Sequence, residues 1–206
     1  ENILAVCAHT DGVLFFNLEN PENPSLMHIL DAENAWAVEL NEGSWSSDYP
    51  IIAYIGDENN IIIAGLDDTE VVQLNIIETP GSVKDIMIDY VYYSEFDTVI
   101  EFLTLYIAIG TEGVYAYDIS GYDEGNLENP VFRTSYNTSG LANRLDKFWY
   151  NVVVSDWDDV EILNFTNNNE VEKVGFKNTT RRTMAIATKD NYIYSAEWTT
   201  VQIFEY

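Results

Sequence analysis

Basic side chains are scarce in this sequence. Nine Lys and Arg stand against 35 Asp and Glu among 206 residues, a formal net charge of −26. A phosphate backbone or an anionic leaflet attracts proteins through Lys and Arg, so this balance argues against nucleic acid and polybasic membrane contact. Cysteine is scarcer still. Cys7 is the single one, so no disulfide forms within the chain, and it lies in the apolar run Ile3-Leu4-Ala5-Val6-Cys7-Ala8, where a thiol behaves as a small hydrophobe. No apolar stretch approaches the roughly 18 residues of a spanning helix, so this segment is not expected to insert into a membrane. His9 and His28 are the only histidines, and neither belongs to an HExxH, a triad order or a metal-ligand spacing. A G-x-S-x-G elbow and a Walker loop are absent as well. Paired acids such as Asp67-Asp68 and Asp158-Asp159 fall in turn-like sequence, without the apolar burial that separates two pKa values into acid and base roles. The chain therefore reads as non-enzymatic, with no catalytic residue and no obligatory cofactor.

What is present points to a packed β protein. Hydrophobic residues make up 47% and aromatics 14%, which excludes charge-driven disorder. A single domain of this length buries roughly 70% of its unfolded surface and needs no staple. The first residue is Glu1, as expected of a processed product or a piece of a longer protein. Acidity favours an extracellular or cell-surface location. Three N-x-Ser/Thr sequons, at Asn137, Asn164 and Asn178, are candidate glycosylation sites, although about 2.5 arise by chance at this Asn, Ser and Thr content.

Stacking the β-rich segments reveals a repeat. Ile3 to Leu18, Ile51 to Leu66, Leu105 to Ile119, Asn151 to Phe165 and Tyr192 to Tyr206 each read as an apolar strand ending in a small residue (Ala8, Gly56, Gly110, Ser155, Ala196), a polar turn, and a second β-branched and aromatic strand. Each is a hairpin. The second strands begin at Val13, Ile61, Val114, Val160 and Val201, at intervals of 48, 53, 46 and 41 residues. Further strands are expected at 26–30, 71–77, 131–136 and 171–176, and strands opening the next unit at 36–40, 83–88, 141–148 and 183–188. Four strands in 40 to 50 residues is the spacing of a β-propeller blade. A β-sandwich also has short, closely spaced strands but gives no reason for matching hairpins to recur. The fold expected over 1–206 is thus an all-β propeller of four-stranded antiparallel blades. It comprises about three full blades with a partial blade at each end, as a segment of a larger ring or a thinned five-bladed one.

Asn17-Leu18-Glu19-Asn20-Pro21-Glu22-Asn23-Pro24 and Tyr117-Asp118-Ile119-Ser120 resemble the Asp, aliphatic, Ser, Asn, Pro close of the LVIVD repeats, most clearly in the first and third units. That resemblance implies a β-propeller of a surface or extracellular protein without known activity.

Three sets of candidate site residues follow. The longest insertions, 42–50, 90–104 and 120–129, carry Trp45, Tyr49, Tyr92, Tyr93, Phe96, Phe102 and Tyr122. Aromatics on long loops suit a protein partner or a neighbouring copy. Trp157 and Trp198 share one column of the repeat and could stack a sugar. Around them Asp57, Glu58, Asp156, Asp158 and Asp159 lie in equivalent turns, and Asp156, Asp158 and Asp159 are the candidate Ca²⁺ ligands, although no D-x-[DN]-x-[DN]-G spacing is present. The leading functional reading is a structural or adhesive interaction module. The second is a glycan- or calcium-binding propeller, and the third an enzyme whose other residues lie outside this chain.

Overall fold

The computed structural model describes residues 2–43, 48–95, 98–120, 126–167 and 170–206. It is an all-β chain that divides into two compact units, 1–83 and 84–206. In the first unit, β1 (Ile3–Cys7), β2 (Val13–Asn17) and β3 (Ser25–Leu30) form one antiparallel sheet; β4 (Ala35–Glu42), β5 (Ile51–Asp57), β6 (Asn60–Leu66) and β7 (Val71–Glu78) form a second. In the second unit, β8 (Asp85–Glu95), β9 (Thr98–Ala108), β10 (Val114–Asp118) and β11 (Val131–Tyr136) form a third. The fourth comprises β12 (Ala142–Phe148), β13 (Asn151–Asn167), β14 (Glu170–Lys189), β15 (Tyr192–Glu197) and β16 (Val201–Glu205). Every expected strand lies within or against one of these.

Two strands of the fourth sheet reverse along their length. Asn164 Nδ2 donates to Asn151 Oδ1 at 2.9 Å, whereas 13 residues of extended strand would hold them about 43 Å apart. β13 therefore folds back about Trp157, which has φ 56°. Its first arm pairs with β12 and its second with β14. β14 bends between Thr179 and Thr183, whose hydroxyls meet at 3.1 Å, and passes from β13 to β15 there. The fourth sheet is thus a four-stranded set continued by a three-stranded one.

One backbone hydrogen bond recurs at three of the turns. His9, Glu58, Gly110 and Trp157, each shortly before the second strand of a hairpin, have φ between 49° and 56°. The carbonyls of His9, Glu58 and Gly110 accept from the backbone N–H of Ala35 (3.2 Å), Val83 (2.7 Å) and Ala142 (2.9 Å), and Trp157 pairs with Thr183. All four partners are fully buried. The small-residue column is shifted from its sequence alignment. Cys7, Gly56, Ala108 and Ala196 are the residues facing Val13, Ile61, Val114 and Val201. Ala8 and Gly110 belong to the turn instead, because the first and third turns are longer and close on Gly12 and Gly113, both at φ 83°.

The core follows from the two faces of each sheet. Val13 and Phe15, on the leading face of the first sheet, pack on Ala53, Ile55, Ile62 and Ala64 of the second. Tyr106, Ala108, Val114 and Ala116 of the third pack on Val152, Val154, Leu163 and Phe165. Val153, Val160 and Ile162 pack on Ile186, Ile193 and Phe204. β5 and β6 are buried on both faces, which explains their unbroken apolar runs where period-2 alternation was absent.

The step at Val83 is tight. A Cβ on Gly56 would lie 2.5 Å from Val83 Cγ1. Gly56→Ala is expected to lower the unfolding free energy by about 1–3 kcal/mol in urea titration. A double-mutant cycle with Val83→Ala is expected to show that much of this loss comes from the one contact.

Candidate functional site

The first strands of these hairpins end in carboxylates, and the structure gives each a local task. Asp57 accepts from the backbone N–H of Glu33 (3.1 Å) and Asn34 (2.5 Å). Glu197 accepts from Thr180 N (3.3 Å), Thr180 Oγ1 (2.7 Å) and Thr200 Oγ1 (3.1 Å). Asp156 accepts from Thr138 Oγ1 (2.8 Å), Ser139 Oγ (3.0 Å) and Gly140 N (2.7 Å). In each case a carboxylate caps the loop that brings the chain into the same set of strands. Such charge-assisted bonds are the stronger ones.

The fourth sheet departs from this pattern by burying more acid. Asp159 and Glu161 follow on the second arm of β13, two residues apart and hence on one face of the strand. Asp159 is 7% exposed and Glu161 is fully buried. One oxygen each from Asp156, Asp159 and Glu161 lies within 4.8 Å of the others. Ser139 Oγ also reaches Asp159 Oδ2 at 3.2 Å, and Lys173 Nζ pairs with Glu161 Oε1 at 3.0 Å. Asp159 Oδ1 and Glu161 Oε2 are buried without a hydrogen-bond partner. Burial pushes the Asp159 carboxyl up to about 6, reinforced by the charges of Glu161 and Asp156. Asp156 is raised by burial and held back by its three donors. The hydrogen bond to Glu161 raises Lys173.

Of the three acids expected to converge on a cation, Asp156 and Asp159 do so. Asp158 is exposed and lies outside the group, and Glu161 takes its place. Glu161 is not among the sequence candidates, because a single acid inside an apolar strand has the pattern of any solvent-facing strand position. The signal in hindsight is Lys173, whose strand pairs beside it.

The tryptophans divide. Trp157 is half-buried, with the Arg182 guanidinium 4.4 Å from its ring centroid. Trp198 is 69% exposed. Thr180, Arg181, Arg182 and Trp198 line a recess of about 400 Å³.

Among the proposed partner-binding aromatics, Phe102 is a core residue, 1% exposed and stacked under the Arg133 guanidinium at 3.9 Å. The insertion that holds it is not an open loop. β8 and β9 extend through Tyr92 and Tyr93, whose backbones pair with Glu101 and Ile100. Continuous β-branched and aromatic sequence there lengthens the hairpin. Tyr49 lays its ring on Gly65, whose hypothetical Cβ would lie 2.3 Å from it. Trp45, Phe96 and Tyr122 lie outside the described residues. Of the sequons, Asn178 is exposed, the Asn164 amide is engaged by Asn151, and the Asn137 amide, with its nitrogen turned toward them, reaches the carbonyls of Thr138 and Thr111 at 3.2 Å each.

No family model and no curated protein matches this chain.

An unfolded Asp titrates near 3.9, whereas Asp159 in the fold titrates near 6. Between those values the folded state binds more protons, so stability falls as pH rises through this window. Ser139, Asp156, Asp158, Glu161 and Lys173 are the polar and charged groups facing it. In metal-free buffer the urea midpoint is expected to be lower at pH 7 than at pH 4.5, and Asp159→Asn is expected to flatten that difference.

Proposed function

We propose that the chain is part of a β-propeller of the kind the LVIVD resemblance implies, its successive four-stranded sets serving as blades. It acts as a non-enzymatic, self-associating structural module outside or on the surface of a cell. The observation carrying this reading is the leading face of the last three-stranded set. There Tyr194, Val201 and Ile203 occupy the rows that Val153, Val160 and Ile162 fill in the preceding set. The earlier rows are covered by Ile193 and Phe204, but Val201 is 66% and Ile203 59% exposed. On the first sheet the opposite, trailing face is open as well. Leu4, paired with Phe16, holds the row that Ile193, paired with Phe204, fills in the last set, and Leu4, Leu26 and Ile29 are all exposed. Apolar faces of this kind mark contact sites.

The two open faces are the two halves of an interface the chain already builds internally, so the occupant of each is the other face of a second copy, laid head to tail. Charge supports this pairing. Residues 1–83 hold 15 acids and no Lys or Arg, while Lys173, Lys177, Arg181, Arg182 and Lys189 are five of the nine basic residues. Opposed potentials of this kind set orientation. Such a heterologous contact produces rings if it closes and filaments if it does not. Strong net acidity suits the proposed location at the cell exterior.

A second reading is favoured by the recess of Thr180, Arg181, Arg182 and Trp198. An exposed indole beside two guanidinium groups suits an acidic sugar, and Trp198→Ala should abolish saturable glycan binding if that reading holds.

The test of the leading reading is light scattering over a concentration series. Wild-type protein is expected to form species larger than 23.5 kDa. Val201→Lys/Ile203→Lys, and separately Leu26→Lys/Ile29→Lys, are each expected to be monomeric. Mixing the two double variants should give a heterodimer of twice the chain mass and nothing larger, because each retains one intact face. A wild-type monomer at every concentration overturns the reading, as does assembly unchanged by either pair.

A further inference from the structure

Glu161 stands where a hydrophobe belongs. Its place in the repeat, one residue after Val160, corresponds to Ile62 after Ile61 in the second sheet, and Ile62 is buried core. Both face the sheet before them. A carboxylate in such a slot is costly unless something compensates its charge. Lys173 reaches only Oε1, leaving Glu161 Oε2 buried and unpartnered, and Asp159 Oδ1 is buried and unpartnered as well. Asp156 closes the group, and the three oxygens lie within 4.8 Å of one another.

We propose that Asp156, Asp159 and Glu161 form a Ca²⁺ site that ties the trailing face of β13 to the Thr138–Gly140 segment following β11. Four features support this. The donors are all carboxylate or hydroxyl oxygens, the hard set that selects Ca²⁺ or Mg²⁺ over zinc. Ligands about 2.3–2.6 Å from a shared Ca²⁺ lie up to about 5 Å apart, so three oxygens within 4.8 Å of one another fit a single shell. Three carboxylates against one ammonium leave two negative charges, the complement of a dication. The two unpartnered oxygens supply free lone pairs, and Ser139 Oγ, within 3.0 Å of Asp156 Oδ2 and 3.2 Å of Asp159 Oδ2, adds a neighbouring oxygen. Water fills the remaining positions of a shell that needs six to eight oxygens. The cation would relieve buried repulsion and fasten two neighbouring sheets of the second unit where their apolar contact gives way to polar residues.

The experiment uses the full chain, freed of metal by chelation and titrated with CaCl₂ at pH 7.5, with calorimetry and thermal unfolding as readouts. One Ca²⁺ per chain is expected, with a melting temperature that climbs with the logarithm of Ca²⁺ concentration. MgCl₂ at equal ionic strength should bind at least tenfold more weakly. Asp159→Asn and Glu161→Gln should each weaken Ca²⁺ binding at least tenfold. In chelator these variants should be as stable as the parent or more so, because each removes buried charge. Asp158→Asn, an exposed acid beside the site, should bind as the parent does. Absence of heat and of a melting shift up to 10 mM Ca²⁺ overturns the site. So does a response equally weakened in Asp158→Asn, which marks diffuse screening of an acidic surface. Loss of stability in chelator for both isosteres overturns it too, since the acids would then be structural hydrogen-bond partners.

Discussion

The backbone hydrogen bond from a left-handed turn residue to the first buried residue of the next strand set is the constraint on which the remaining geometry depends. It fixes where these sets pass the chain onward, and it does so at residues as different as His9, Glu58 and Gly110. Non-glycine residues adopt positive φ at a cost of roughly 1–3 kcal/mol when the surroundings compel it. Here the turn carbonyls of His9 and Glu58 satisfy a buried backbone N–H. With that bond in place, the leading rows of the first sheet meet the second sheet in the first unit, and those of the third meet the fourth in the second unit.

Acidity has a role in the same scheme. A net charge of −26 strains any compact state through self-repulsion. Several of the acids are nevertheless the parts that close the repeat, since Asp57, Asp156 and Glu197 each cap the loop that feeds their own set. All three accept from backbone or hydroxyl donors of those loops. Only in the fourth sheet does the carboxylate density exceed what the loop can satisfy, and there the excess is buried at Asp159 and Glu161.

Strand positions were legible because period-2 alternation and turn chemistry act locally, and hairpins such as 51–66 carry both signals in full. The column of small residues was legible only to within a residue or two. The first and third turns are longer than the second, and turn length shifts an alignment while leaving composition unchanged. The aromatic insertion 90–104 misled for a different reason. Its Tyr and Phe content resembles a contact loop, but the same residue types favour strand, and pairing across β8 and β9 placed Phe102 in the core. Glu161 was invisible for the converse reason, since a single acid within an apolar strand resembles any solvent-facing position.

The amino-acid sequence by itself determined the strand content, the order of the hairpins and the strongly acidic balance, because composition and short-range periodicity carry those properties. Tertiary structure decided which acids converge, which aromatics are buried and which sheet faces stay open. Asp156 and Glu161 lie on opposite arms of a reversal, and Thr138 is 18 residues from the carboxylate it caps. Contacts of that range depend on register between strands and on the packing of one sheet against the next, and neither is written in the spacing of residues along a single strand.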